Sequence, residues 1–306
     1  MPWHRLYTVY SNTPMMRMLA TVFAGLFGLA FGSFLNVCLS RWPHEESIVH
    51  PGSHCRQCQR TLAWWENIPV ISWIALGGRC RTCRAWIGLR YPLVEISVAV
   101  LWAAVAWRSM NPLDDSELAS THAPMAIVVG ICMMIFCWLL VALAFLDAED
   151  LWLPDRLTLP GAALGFLLTN LRVDLDENHL RAGMSMAFTA VTSMLSILAA
   201  AGFILLIRWV YWLIRRREGV GLGDAKLMAL LAAWLGLPGA IVAFDLGILL
   251  GALAAVFLLT VPSSKADTRS WSLRRLPLGT FLCVGGIVSG LWGRQIIDAY
   301  LRWSGF

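Results

Sequence analysis

The chain has 306 residues, 58% of them hydrophobic and only 14% charged, with a mean hydropathy of +0.66. An average soluble domain carries about 25% charged residues, so this composition excludes a soluble enzyme, a disordered chain and a nucleic-acid binder. The formal net charge of +5 is better read as membrane topology, because Lys and Arg collect in cytoplasmic loops. At roughly 20 apolar residues per helical span, the expected fold is all-α and polytopic, with about eight transmembrane helices and one substantial polar loop.

Residues 1–15 read as an N-terminal extension that is longer and more polar than the first span needs; an internal Met such as Met15, Met16 or Met18 is the expected true start. The first apolar run, 16–39, is too long for a cleaved signal peptide and lacks a small-residue cleavage site. A polar loop follows at 40–90, and then a membrane core over 91–301 with a short tail at 302–306. Within that core the expected spans are 91–107, 123–146, 157–172, 184–214, 225–237, 239–261 and 276–301. The spans at 157–172 and 225–237 are short and edged by Pro or Gly, which suits helices that begin inside protein rather than at lipid. No internal repeat is evident. With the 40–90 loop placed in the cytoplasm, 17 of the 24 Lys and Arg fall on that side, and both termini then lie outside.

The polar loop carries Cys55-Arg-Gln-Cys58 and Cys80-Arg-Thr-Cys83. Each CxxC turn sets two thiolates on one side of a knuckle, and two knuckles supply the four-sulfur tetrahedron that zinc prefers. Thiols stay reduced in the cytoplasm, so a disulfide or redox pair is the weaker alternative. His54 is a rival ligand, but four Cys already close the shell, and a closed shell is structural. It would fold a loop too small to have its own core. Between the pairs stand Trp64, Trp65 and Trp73, which either meet the membrane interface or pack over the knuckles. The other four Cys, at 38, 132, 137 and 283, lie in apolar stretches and read as small buried hydrophobes.

Ionisable residues in or beside spans are costly and therefore functional candidates. Asp147 ends the third span, and Asp224 stands in Gly221-Leu222-Gly223-Asp224 before the sixth. The topology puts both at the cytoplasmic edge. Two carboxylates at close range do not both ionise easily; one keeps a proton as general acid while the other activates water. Gly221 and Gly223 would allow a tight turn and the close approach of a substrate backbone. Other readings stand beside this one. Asp224 fits ordinary helix capping, while Asp150 and Asp155 are rivals to Asp147. Asp245 and Glu95 are further acids within spans, Glu95 as a partner for an Arg or a substrate contact. Together these acids also suit an ion-coupled transporter, although a transporter wants them near the midplane and in repeated halves. Every His lies in a loop or at a span edge, so a Ser–His dyad lacks its base, and Ser289 reads as a helix-packing residue.

These motifs, in this order, resemble those of the bacterial type IV prepilin leader peptidases, polytopic aspartic proteases of the GxGD type. The resemblance runs over about residues 20–290. It includes GSFLNVCLSRWP (32–43), the two CxxC pairs, RYPLVE (90–95), LDAEDLWLPDRLTLP (146–160) and GLGDAKLMALLAAWLG (221–236). It implies Asp147, seven positions before Pro154, and Asp224 as the catalytic pair. It implies an integral protein of the bacterial inner membrane, with active site and zinc loop on the cytoplasmic side. The expected substrates are prepilins and pseudopilins, cut after a Gly behind a basic leader. Members with the tetracysteine loop also methylate the new N-terminus, which brings in S-adenosylmethionine beside the structural Zn2+. The methyl-donor residues are unassigned, with GSFLN and Glu95 as candidates by resemblance only. Leader recognition would use local acids: Glu149, Asp150, Asp155 or Glu218.

Overall fold

The computed structural model describes residues 14–110, 123–174, 186–217, 219, 221–260 and 276–304. The expected N-terminal extension, the acidic outer loops at 111–122 and 175–185, the basic loop at 261–275 and Glu218 lie outside the described residues. Among the described residues eight α-helices run in chain order: α1 (Pro14–Arg41), the short α2 (Ile71–Ala75), α3 (Arg90–Ser109), α4 (Ala123–Asp150), α5 (Asp155–Asp174), α6 (Met186–Arg215), α7 (Leu222–Thr260) and α8 (Leu278–Ser304). Six of them, all but α2 and α5, are long and apolar enough to cross a membrane.

The helix count is not a count of crossings, for two local reasons. The expected spans at 225–237 and 239–261 are the two arms of α7, which breaks at Gly236, whose backbone turns to φ 68°, with Pro238 two residues on. Pro removes a helical N–H and Gly accepts the left-handed angle, and the chain turns back there: Leu153 touches both Gly223 on the first arm and Gly279, while Gly247 on the second arm meets Leu282. The expected span at 157–172 is the helix α5, which opens on Asp155-Arg156, carries Pro160 inside and is too polar to count as a span. The apolar side chains that line the outside fit a lipid environment: Phe23, Leu26, Leu198, Leu206, Leu253 and Val256 are all more than half exposed.

The chain divides into two compact units, Met1–Ala142 and Leu143–Phe306. In the first, α1 and α3 pack backbone to backbone. A Cβ on Gly28 would lie 2.7 Å from Ala99 Cα, and one on Gly32 would lie 2.6 Å from Glu95 Cα. Gly28 and Gly32 form the small-xxx-small pattern by which membrane helices gain van der Waals contact, since lipid offers no hydrophobic drive between them. Indole N–H groups tie in the neighbouring backbone: Trp102 donates to Met134 O (2.9 Å) and Trp138 to Phe31 O (3.2 Å).

In the second unit, α7 is the hub. Trp234 Nε1 donates to Gly161 O over 2.9 Å, and its ring fills the space where Gly165 has no side chain. Ser289 donates to Gly239 O over 2.7 Å, the helix-packing role expected of it. A Cβ on Gly285 would meet Ala243 O at 2.2 Å, so α7 and α8 also touch through a glycine. Cys38, Cys137 and Cys283 are buried, while Cys132 is only partly so.

Candidate active site and metal centre

The tetracysteine loop belongs to the first unit. Each CxxC is the same tight turn. Cys55 N–H bonds to Arg60 O and Gln59 N–H to Cys55 O; Cys80 N–H bonds to Ala85 O and Arg84 N–H to Cys80 O, all at 2.8–3.0 Å. Gln59 and Arg84 both take left-handed angles, φ 57° and 58°, and isolated bridges close each turn at His54–Thr61 and Arg79–Trp86. A local repeat with a 25-residue offset is therefore present where none was evident in the sequence.

The four Sγ atoms all lie within 4.8 Å of one another, and Cys55 Sγ and Cys83 Sγ stand 3.7 Å apart. A tetrahedral zinc with Zn–S of about 2.3 Å has sulfur edges of about 3.8 Å, so the cluster fits that ion. All eight Cys are free thiols, and a contact of 3.7 Å between Cys of different pairs is far beyond a disulfide bond. The backbone N–H groups of Cys83 and then Thr82 push the Cys80 thiol down to about 6, which prepares the thiolate a metal needs.

Behind the cluster, Arg60 makes two bonds to Glu66, at 2.7 and 2.9 Å. The Ala63 N–H also donates to Glu66 Oε2. Arg60, with the Ala63 N–H second, holds the Glu66 carboxyl below its ordinary range. The Trp segment divides its roles. Trp73 donates to Ile87 O and stacks edge-on with Trp86, while Trp64 is 81% exposed.

Glu95 is buried on α3 and accepts the Val70 N–H over 2.7 Å. Its partners are this main-chain donor and the side chains of Ser33 and Asn36, rather than the Arg that was one of two expectations for it. Val70 is held at φ 60°, unusual for a β-branched residue.

The paired aspartates belong to the second unit. Asp147 is buried in the last turn of α4. Its Oδ2 accepts the Thr280 N–H at 2.6 Å, and the Thr280 hydroxyl lies 3.1 Å from both that oxygen and Ala144 O. One hydroxyl proton serves only one of these acceptors at a time. The first turn of α8 thus presents its open N–H groups to a carboxylate. Gly279 makes this approach possible, since a Cβ there would fall 2.9 Å from Asp147 Cγ. Neither Gly279 nor Thr280 was marked by the sequence reading; the only signal was a Gly-Thr pair shortly after Pro277 at a helix start.

Asp224 is buried in the first turn of α7 and accepts the Gly221 N–H over 3.1 Å. It reaches back from the third helical position to the residue before the helix, and the Leu153 side chain lies against both its neighbour Gly223 and Gly279, beside Asp147. Gly221 and Gly223 do not take left-handed angles; the glycines that do are Gly77, Gly78 and Gly236. A turn there uses ordinary angles, and Gly223 matters for space. Leu153 packs 3.1 Å from where its Cβ would be, and the same side chain comes to 3.0 Å of the Gly279 position. Leu153 thus wedges between the glycines beside the two aspartates. Pro154 is buried and its carbonyl accepts the Leu157 and Thr158 N–H groups that begin α5.

The rival acids are placed differently. Asp150 and Asp245 are exposed. Asp155 is ion-paired with Lys226 across to α7 and its side chain is exposed.

Two family descriptions match the chain: "Bacterial Peptidase A24 N-terminal domain" over residues 26–109 and "Type IV leader peptidase family" over residues 134–256. Among similar curated proteins, one from Pseudomonas aeruginosa is 33% identical, with 97% of both chains covered. One from Pseudomonas putida is 32% identical over 92% of this chain and 94% of its own. One from Dichelobacter nodosus is 34% identical over 91% and 93%. All three carry the name "Prepilin leader peptidase/N-methyltransferase". No solved structure matches the chain significantly.

Proposed function

The chain belongs to the type IV leader peptidase family, and from that membership we propose that it is a membrane aspartic endopeptidase that uses Asp147 and Asp224 to remove the basic leader of prepilins and pseudopilins after a Gly. The observation that carries this reading is the burial of both carboxylates in one unit, each fixed by a main-chain N–H at a helix end, with one side chain, Leu153, packed against the glycines beside both. Two such groups share one proton. The protonated member polarises the peptide carbonyl, the ionised member takes a proton from the attacking water, and the amine leaves with a proton returned. Gly221, Gly223 and Pro154 shape the approach rather than take part in the chemistry.

The same protein is proposed to methylate the new N-terminal amine with S-adenosylmethionine. A nitrogen–carbon bond forms as the sulfur–carbon bond breaks, and the amine proton goes to solvent. Zn2+ held by Cys55, Cys58, Cys80 and Cys83 supplies structure to the loop. The enzyme is placed in the bacterial inner membrane with the aspartates and the zinc loop on the cytoplasmic side, where the excess of Lys and Arg lies. The domain plan proposed is a zinc-binding loop at 40–90 and a peptidase core at 91–301.

The test uses the protein in lipid with a prepilin bearing a basic leader and a Gly-Phe junction, followed by intact mass. Leader loss in wild type, absent in Asp147→Asn and Asp224→Asn, is the expected result. A gain of one methylene mass only when S-adenosylmethionine is added would establish the second activity. No cleavage by folded, zinc-loaded protein would overturn the reading.

A further inference from the structure

A cavity of about 410 Å³ opens in the first unit, between the C-terminal turns of α1 and the loop that leads into the first CxxC. That volume is in the range of about 300–1,000 Å³ typical of small-molecule sites. One wall is apolar, with Phe34 and Val37 from α1 and Ile48 and Val49 from the loop, and Ser33 adds a hydroxyl. Arg41, which also lines the cavity, is only 6% exposed.

The environment of Arg41 is incomplete in one respect. Its guanidinium donates to three carbonyl oxygens, of Ser47 (2.6 Å), Pro51 (2.5 Å) and Gly52 (3.4 Å). It meets no carboxylate among the described residues. Buried charges are normally paired, and Arg presents a fork suited to a carboxylate. A buried cation facing a cavity without a counter-ion calls for a ligand that brings an anion together with an apolar, planar body.

We propose that this cavity is the methyl-donor site, with Arg41 pairing with the carboxylate of S-adenosylmethionine and the Phe34–Val37–Ile48–Val49 wall taking the adenine. The proposal rests on the methyltransferase reading above and names its site. The segment just before Cys55 forms part of the cavity wall, so the zinc loop shapes the donor site. An anionic lipid headgroup is the rival source of the counter-ion.

The test is equilibrium binding of tritiated S-adenosylmethionine to the full-length protein in nanodiscs, made either of phosphatidylcholine or with added phosphatidylglycerol. Arg41→Met is expected to weaken binding by about 30-fold or more, the scale for truncating one partner of a buried charge pair. Val37→Trp is expected to remove saturable binding. Retained zinc and an unchanged melting temperature identify variants that fold. Photolabelling of the wild type with an azido-adenine analogue of the donor needs no variant, and the label is expected within residues 33–53.

Wild-type binding and methyl transfer with unchanged affinity in both variants would overturn the site while leaving the methyltransferase reading intact. Label confined to residues 143–306 would do the same. Loss of wild-type binding on adding phosphatidylglycerol, with Arg41→Met indifferent to the donor, would assign the cavity to lipid instead. Neither binding nor methyl transfer in the wild type would remove the methyltransferase reading and this site with it.

Discussion

The main-chain N–H of Thr280 donates to the carboxylate of Asp147 over 2.6 Å, across 133 positions of sequence. The contact brings the last turn of α4 to the first turn of α8. The proposed peptidase site is therefore a product of helix packing, because the second aspartate lies on a third helix, α7.

Thr280→Val keeps the N–H bond to Asp147 and removes the hydroxyl. Hydrogen bonds to charged groups contribute about 1.5–3 kcal/mol, so leader cleavage should slow by about 10- to 100-fold. Thr280→Ser should restore most of the rate. Single-turnover cleavage of a prepilin by the two variants checks this, and equal rates would remove the hydroxyl from the mechanism.

Gly279→Ala should abolish cleavage. Its Cβ would stand 2.9 Å from Asp147 Cγ and 3.0 Å from Leu153 Cδ1, and something must shift. Overpacking of this kind costs about 1–3 kcal/mol, and here the strain falls on a reacting carboxylate. The zinc content should stay unchanged, because the tetracysteine cluster belongs to the other unit. Parallel cleavage and metal assays separate a local effect from misfolding.

Leu153→Ala should widen the space between Gly223 and Gly279 that Leu153 now fills. A prepilin with Ala in place of the Gly before the cut is the measurement. The ratio of Ala to Gly cleavage should rise by about tenfold, the scale of one or two methylenes in a pocket. An unchanged ratio would mean that Leu153 does not limit the substrate there.

One zinc per chain is expected by metal analysis, and Cys58→Ser or Cys83→Ser should lose it. Because structural zinc contributes folding energy directly, the same variants should show protease-sensitive sites between residues 45 and 89. Full zinc in either variant would argue against the four-sulfur shell.

The Glu66–Arg60 pair predicts a pH dependence. Arg60 lowers the Glu66 carboxyl, so the folded loop binds fewer protons there than the unfolded chain. Its stabilisation is complete above the ordinary carboxylate range, near about 4.3, and disappears as pH falls through the lower folded value. Glu66→Gln should therefore destabilise the zinc-loaded loop at pH 7 and flatten the acid limb of its proteolysis profile. An acid limb identical to wild type would exclude this pair.

The sequence by itself determined the elements that depend on local pattern. Apolar runs of span length give helices wherever they occur, since backbone groups in lipid have no other partners. The two Cys of each CxxC meet because the turn geometry is local, while the two knuckles come together only through the fold of the loop between them. Motif order was enough to prefer Asp147 over Asp150 and Asp155, and the structure places only Asp147 in a buried position. What only the tertiary structure decided were contacts between residues far apart in the chain. Thr280 and Gly279 at Asp147, Leu153 between two glycines, Lys226 on Asp155, and Arg41 facing a cavity without a counter-ion have no periodicity or spacing to announce them. Those around Asp147 follow from which faces of α4, α7 and α8 meet, helped by small residues such as Gly247 and Gly285 letting one backbone settle against another, whereas Arg41 is set by the loop folding over the end of α1. Whether 222–260 was one rod or two arms was also a tertiary matter: Gly236 and Pro238 permit a break, and Leu153 between Gly223 and Gly279, with Leu282 at Gly247, brings both arms back to the start of α8.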